Sequence, residues 1–285
     1  MGYTLSLIEA IKRGNAGISI DRLIEHARLN KVLLHFLRRL DIQGDIRERE
    51  EHRYRVFKES LMELNNILCG SGYEYAFFKL YKPIEYVPAD IDILVSDRDA
   101  TRVAKELLRR GFSLEVLEPY TVTLIRGRLI VDLYTYPSLG NIAYLDGQRL
   151  LEYRTWVDLD GVEIVSLETP AEAVVNVAHS IAKEWIYTLN DYYTVSRWLD
   201  SRALDLCREL GCIYEAGYAL TINRMIEEGI IETPFKIPNI FRLRLWGMKF
   251  IENPLTRGTS IKSISRLSDR RFGKLILSRL TRGTY

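Results

Sequence analysis

The stretch ADIDILV, residues 89–95, sets two carboxylates one residue apart in an otherwise apolar run. Read as a strand, the run alternates. Asp90 and Asp92 project from one face, and Ile91, Ile93 and Val95 point to the other. Burying unpaired charge is costly, and two like charges on one face repel each other. Packing alone therefore gives no reason for the pair, whereas a divalent cation does. A third carboxylate, Asp132, lies in LIVDLYTY (129–136), a second apolar run with strand character. If the two strands are neighbours, three carboxylates meet at one spot. Hard oxygen donors grouped in this way suit Mg²⁺, which keeps part of its water shell and takes further ligands from phosphates. Two such ions would activate an attacking oxygen and stabilise a leaving one.

Around these two runs the pattern is mixed. YEYAFFKLY (73–81) is short and aromatic, hence a strand. Ser96 or Asp97 is placed to cap a helix in which Ala100, Val103, Ala104, Leu107 and Leu108 share a face, with Gly111 as its stop. FSLEVLE (112–118) and TVTLIRG (121–127) read as strands, with a tight turn at Arg126-Gly127 before residue 129. RTWVDLDGVEIVSL reads as a hairpin turning at Asp160-Gly161.

On either side the period is helical. Leu23, Ile24, Ala27, Val32, Leu33, Phe36 and Leu37 fall at helical spacing, and Val56, Leu61, Leu64 and Leu68 share one face of a second segment that Gly70 and Gly72 end. The charge run 45–53 reads as a solvated helix face. From Thr169 onward helices return: Thr169 as N-cap, Pro170 at the first position and Glu172 completing a capping box. His179 lies among apolar helix residues and reads as a core histidine; Asp191 reads as a cap. The expected class is α+β, in three units: an N-terminal helical arm (1–72), a mixed-sheet core (73–168) and a helical C-terminal domain (169–285).

Composition narrows the function. The 285 residues carry a net charge of +2, so the chain as a whole is not a polyanion binder. Its last 30 residues nevertheless hold eight basic side chains and one acid. Arg266, Arg270, Arg271 and Lys274 in that tail, with Leu267, Phe272, Leu275 and Ile276 between them, suit either an amphipathic helix packed on the body or a contact with RNA or another polyanion. Cys69, Cys207 and Cys212 form no C-x-x-C pair, which predicts reduced thiols in a cytoplasmic protein. No run approaches the roughly 20 apolar residues of a membrane span. Gly2 and Ser6 fit the short M-G-x-x-x-[ST] acylation pattern, which arises easily by chance. Two glutamines among many Arg, Lys, Glu and Ile suggest a thermophilic, archaeal-type chain.

The order of these motifs resembles the nucleotidyltransferase superfamily that includes polymerase beta, and within it a broad group of bacterial and archaeal nucleotidyltransferase-fold proteins. The resemblance rests on FFKLYKPIEYVPADIDILV, on the LLRRGF helix end followed by VDLY, and on VVNVAHSIAKEWIYTLNDYYTV, over roughly residues 20–200. It implies a nucleotidyltransferase core in which Asp90, Asp92 and Asp132 bind two Mg²⁺ ions and the substrate NTP, ATP among the candidates. Lys79 would steady a phosphate as a point charge, with Lys82 as electrostatic support. The implied activity is transfer of a nucleoside monophosphate to an acceptor hydroxyl on a small molecule, a protein or an RNA. One departure stands out: the superfamily's Gly-Ser or Lys-Gly after the first core strand is replaced by Lys79-Leu80-Tyr81. CGSG (69–72) lies before the strand and reads as a helix-end turn. The alternative is a degenerate nucleotidyltransferase fold that binds RNA or a partner, including a toxin or antitoxin component.

Overall fold

The structure is a computed structural model that describes residues 2–15, 17 and 19–264. The amphipathic N-terminal segments form α1 (Tyr3–Arg13), α2 (Ile20–Leu29), α3 (Leu33–Arg39) and the long α4 (Asp45–Gly70). Leu61, Leu64 and Leu68 turn inward from α4 as their spacing requires, but Val56 is exposed. Gly72 closes the helix end in the left-handed region, with φ 66°.

The strands follow: β1 (Tyr75–Phe77), β2 (Ile91–Val95), then α5 (Ala100–Arg109), β3 (Ser113–Leu117), β4 (Thr121–Arg126) and β5 (Leu129–Tyr134). Two short strands, β6 (Ser138–Leu139) and β7 (Ile142–Ala143), and a single turn of helix, α6 (Gly147–Leu150), lead to the hairpin β8 (Arg154–Asp158) and β9 (Glu163–Leu167). Asp160 and Gly161 both have positive φ, 52° and 86°, at the hairpin's turn. The sheet order is β3-β4-β5-β2-β1-β9-β8. β2 pairs with β5 and β1 with β9 in parallel; the other neighbours are antiparallel. The class is therefore α+β with a mixed sheet.

The C-terminal helices are α7 (Thr169–Ala178), α8 (Leu189–Trp198), α9 (Ser201–Glu209), α10 (Ile213–Glu227), α11 (Asn239–Glu252) and α12 (Pro254–Ile264). A π-helical turn, His179–Glu184, continues α7, and β10 (Ile186–Tyr187) pairs with β11 (Phe235–Lys236). Two apolar clusters result. One joins residues of α1, α2 and α3 to residues of α7, α8, α9 and α10; the other joins α4 and α5 to the opposite face of the sheet.

Two local expectations need correction, and a third holds. Helix α5 starts after Asp99, whose carboxylate accepts from Ser96 Oγ, Glu74 N and the Arg102 side chain rather than from a backbone amide of its own first turn. Thr169 does not cap α7, and Glu172 forms no capping box; its carboxylate is turned to another element. Asp191 does cap, as the third residue of a capping box headed by Thr188 on α8. Among the described residues no helix is long and apolar enough to cross a membrane. The tail residues Arg266, Arg270, Arg271 and Lys274 lie outside the described residues.

Candidate active site

Parallel pairing of β2 with β5 sets Asp92 opposite Asp132, and the start of β2 brings Asp90 to the same side. One carboxylate oxygen from each of the three lies within 4.8 Å of the other two. Asp92 is buried, while Asp90 and Asp132 are partly open. Thr123, opposite Asp132 on β4, donates its hydroxyl to Asp132 Oδ1 at 2.5 Å and fixes that carboxylate.

A lysine faces this cluster. Lys79 Nζ lies 2.8 Å from Asp92 Oδ2, and both side chains are largely shielded from solvent. Burial alone would lower the Lys79 ammonium; the charges of Asp92 and Asp90 outweigh it and hold the group above its ordinary value. Burial pushes the Asp92 carboxyl up to about 7, Lys79 pulls it back, and repulsion from Asp90 and Asp132 adds to the rise. Lys79 and, at longer range, Lys183 set two ammonium groups against three carboxylates, which leaves the cluster short of positive charge. Asp92 Oδ1 is buried with no hydrogen-bond partner. A buried carboxylate oxygen in that state has lost its water and gained nothing in return. Its position beside two further hard donors fits a divalent cation.

Lys79 also carries the turn that leaves β1. Its φ is 65°, the left-handed region that glycine enters without strain. Glu172 supports the turn: both carboxylate oxygens accept from Lys79 N, at 2.9 and 3.1 Å, and Ser166 Oγ adds a contact at 3.3 Å. That amide is consequently committed to Glu172 and does not face a ligand. Burial pushes the Glu172 carboxyl up to about 7, opposed by the charge of Lys82 and the Lys79 hydrogen bond. Burial lowers Lys82 to about 8, opposed by Glu172 and Asp191.

Asp90, Asp92, Asp132, Lys79 and Lys82 all line one cavity of about 630 Å³. Lys31 from the turn between α2 and α3, Arg53 from α4, and Asn176, His179 and Lys183 from the far side also line it. The far wall was not read from the sequence. Glu172, Asn176, His179 and Lys183 recur at i, i+4, i+7 and i+11 along α7 and its π turn. They form a polar stripe on a helix otherwise built of buried Ala and Val. Taken one at a time in the sequence, Glu172 fits a capping box and His179 a core position, which hides the stripe. His179 Nδ1 sits 3.1 Å from Tyr144 Oη, and Lys183 Nζ donates to Tyr134 Oη at 3.1 Å. Asn176 is buried, and its Oδ1 has no protein partner.

No family model and no curated protein matches the chain. Among solved structures, an antigenic nucleotidyltransferase-like protein from Paracoccidioides brasiliensis is similar at 12% identity, with a TM-score of 0.36, over 66% of this chain and 96% of that one. That likeness is too distant to carry functional weight, so the reading of the site rests on its geometry.

Proposed function

We propose that the protein is a Mg²⁺-dependent nucleotidyltransferase that moves a nucleoside monophosphate from an NTP to an acceptor hydroxyl. The observation that carries this reading is the convergence of three carboxylates within 4.8 Å in the wall of a cavity that is also lined by Arg28, Lys31, Arg53, Lys79, Lys82 and Lys183. A purely structural cluster of that kind would be self-repelling. Asp90, Asp92 and Asp132 would hold the metal. Once bound, it would supply Lewis-acid polarisation of the phosphoryl oxygens and neutralise charge at the leaving group. Lys79 and Lys82 attract and orient the triphosphate. Lys79 does so by its ammonium alone, because its amide is taken by Glu172. The acceptor oxygen forms a bond to the α-phosphorus, the bond from that phosphorus to its bridging oxygen breaks, and pyrophosphate leaves. The acceptor proton passes to the Asp132 carboxylate, which Thr123 holds in place. The N-terminal helices and the stripe on α7 shape the pocket for the acceptor.

One observation favours a second reading. Lys79 already supplies a cation to Asp92 at 2.8 Å, which is how a core that had lost its metal would stabilise a leftover carboxylate. Titrating Mg²⁺ and Mn²⁺ into the protein, with and without each NTP, separates the two. The enzyme reading expects metal-dependent nucleotide binding and pyrophosphate release, with Asp92→Asn and Asp132→Asn each lowering the rate by roughly 10²–10³-fold or more. Metal-independent binding that survives both substitutions would overturn it.

A further inference from the structure

Lys79 has a fixed backbone and a movable head. Phe78 N donates to Asp92 O at 3.2 Å, and both oxygens of Glu172 take the Lys79 amide. Phe78 and Leu80, on either side, are buried. The Lys79 backbone therefore cannot travel without breaking several contacts. Its ammonium hangs from a flexible four-carbon stem. Among the described residues that ammonium makes one ion pair, with Asp92. The rings of Phe78 and Tyr134 stand 4.9 and 5.1 Å from Nζ as cation–π partners.

Asp92 is the buried member of the three carboxylates, and it is the one that Lys79 touches. A divalent ion held by Asp90, Asp92 and Asp132 would share the Asp92 carboxylate with the ammonium, whichever oxygen it took. Two cations on one shielded carboxylate repel at a range where little water screens them. They are rivals for the same charge. Lys183 stands differently: its Nζ donates to Tyr134 Oη at 3.1 Å and reaches Asp92 only at longer range.

The residue type suits exchange. An ammonium is a point charge on a pliant stem, whereas a guanidinium can lock a carboxylate through two parallel hydrogen bonds. With no metal bound, Lys79 offsets part of the repulsion among the three carboxylates. A triphosphate in the same cavity offers a displaced ammonium new partners of opposite charge. Each ligand would then ease the binding of the other through one side chain, and linkage makes that effect reciprocal.

We infer that Lys79 is an exchangeable counter-ion: its ammonium competes with a divalent metal for Asp92 and lowers the metal affinity of the nucleotide-free site. The inference rests on the metal-site reading of the carboxylates proposed above. Titrating the full chain with Mn²⁺ in the absence of nucleotide, with the unbound ion counted by electron paramagnetic resonance, tests it. Lys79→Gln and Lys79→Met should each tighten Mn²⁺ binding by at least about tenfold. The two differ in whether they leave Asp92 a hydrogen-bond donor, so a folding defect in one does not hide the result in the other. Lys79→Arg keeps the charge and should give no gain. Lys82→Gln removes a cation from the same cavity that faces Glu172 and Asp191, and should give a much smaller gain. Unchanged or weaker metal binding in the neutral Lys79 variants overturns the inference. An equal gain in Lys82→Gln overturns it too, because the effect would then be the general field of the cavity and not competition at Asp92. Failure of this inference and failure of the transferase reading look different. Metal-dependent pyrophosphate release by the native chain, with no gain in either neutral variant, removes the counter-ion role alone. A gain in both neutral variants, with no nucleotide bound by any form, upholds the counter-ion role and removes the transferase.

Discussion

At the scale of the single residue, two side chains show how differently chemistry can be written into a sequence. Asp92 was legible because strand geometry permits only one reading of its spacing from Asp90, and because Asp132 recurs in a second apolar run. The parallel register that sets Asp92 opposite Asp132 is a long-range fact that the spacing could not supply. Asn176 was not legible, since a single amide in an apolar helix is often a satisfied core residue. Only the structure shows its Oδ1 buried and without a protein partner. That state gives an expectation with two opposite signs. Replacing Asn176 by Leu removes an unsatisfied buried acceptor, so the unliganded protein should gain up to about 1 kcal/mol of stability. If Asn176 reads a group on the nucleotide or acceptor, the same change should weaken ligand binding by about tenfold. Urea denaturation and calorimetric titration with NTP check the two halves. A loss of stability with unchanged affinity would make Asn176 a packing residue only.

At the scale of the element, the segment between β1 and β2 decides whether the site holds its shape. It crosses from Phe78 to Asp90 with no regular structure, so side chains from other elements must anchor it. Glu172 holds the Lys79 amide, Arg197 Nη1 donates to Pro83 O at 2.6 Å, and Glu85 is bound by His35. Each anchor joins residues distant in sequence, and this is why local pattern missed them. Thr169-x-x-Glu172 has the spacing of a capping box, and nothing local reveals that a remote amide captures the carboxylate instead. His35 likewise stood alone in the sequence and meets Glu85 only in the fold. The Glu85 anchor makes the segment sensitive to acid. The hydrogen bond from His35, against the opposing effect of burial, holds the Glu85 carboxyl at about 2, below its usual 4.5. A carboxylate depressed in the folded state contributes stability above its unfolded pKa and loses it as pH falls through the folded one. The contribution should therefore be complete above pH 4.5 and vanish as the pH approaches about 2. Glu85 is partly exposed, so solvent screening reduces its worth to about 1–2 kcal/mol. Glu85→Gln should lower stability by that amount at pH 7 and by much less near pH 2–3, which denaturation series at several pH values would measure. A pH-independent difference would show that the anchor is not ionic.

At the scale of the whole molecule, the cavity owes its existence to how the N-terminal helices are attached. The periodic segments before residue 72 were readable as helices, and the sheet as α+β, because each carries its own hydrophobic period. Where those helices pack was not readable, since an apolar face does not name its partner. In the structure α1, α2 and α3 share one apolar cluster with the C-terminal helices, so residues nearly 200 positions apart in the chain form a single core. The polar joint of that core is Asn30 at the end of α2, fully buried. Its Nδ2 donates to His26 O at 3.0 Å and Thr233 O at 3.1 Å, and its Oδ1 accepts from Leu189 N at 3.1 Å. It thereby joins α2 to the start of α8 and to the loop before β11, and it fixes Lys31 at the rim of the cavity. Asn30→Ala would leave Thr233 O and Leu189 N buried and unpaired, a loss of roughly 2–4 kcal/mol. Whether that loss is felt locally or globally separates two architectures. If the N-terminal helices were an independent unit, the variant would unfold in two steps, the helices first and the sheet and C-terminal helices later. A shared core instead ties both sides of the joint into one transition. The urea midpoint of Asn30→Ala should then fall with an unchanged slope, and tryptophan fluorescence, which reports on Trp156, Trp185, Trp198 and Trp246, all outside the N-terminal helices, should move together with far-UV circular dichroism. The cavity lies between the two sides of that joint, so under the proposed function NTP affinity should fall in the same variant at urea concentrations where the native protein is still fully folded.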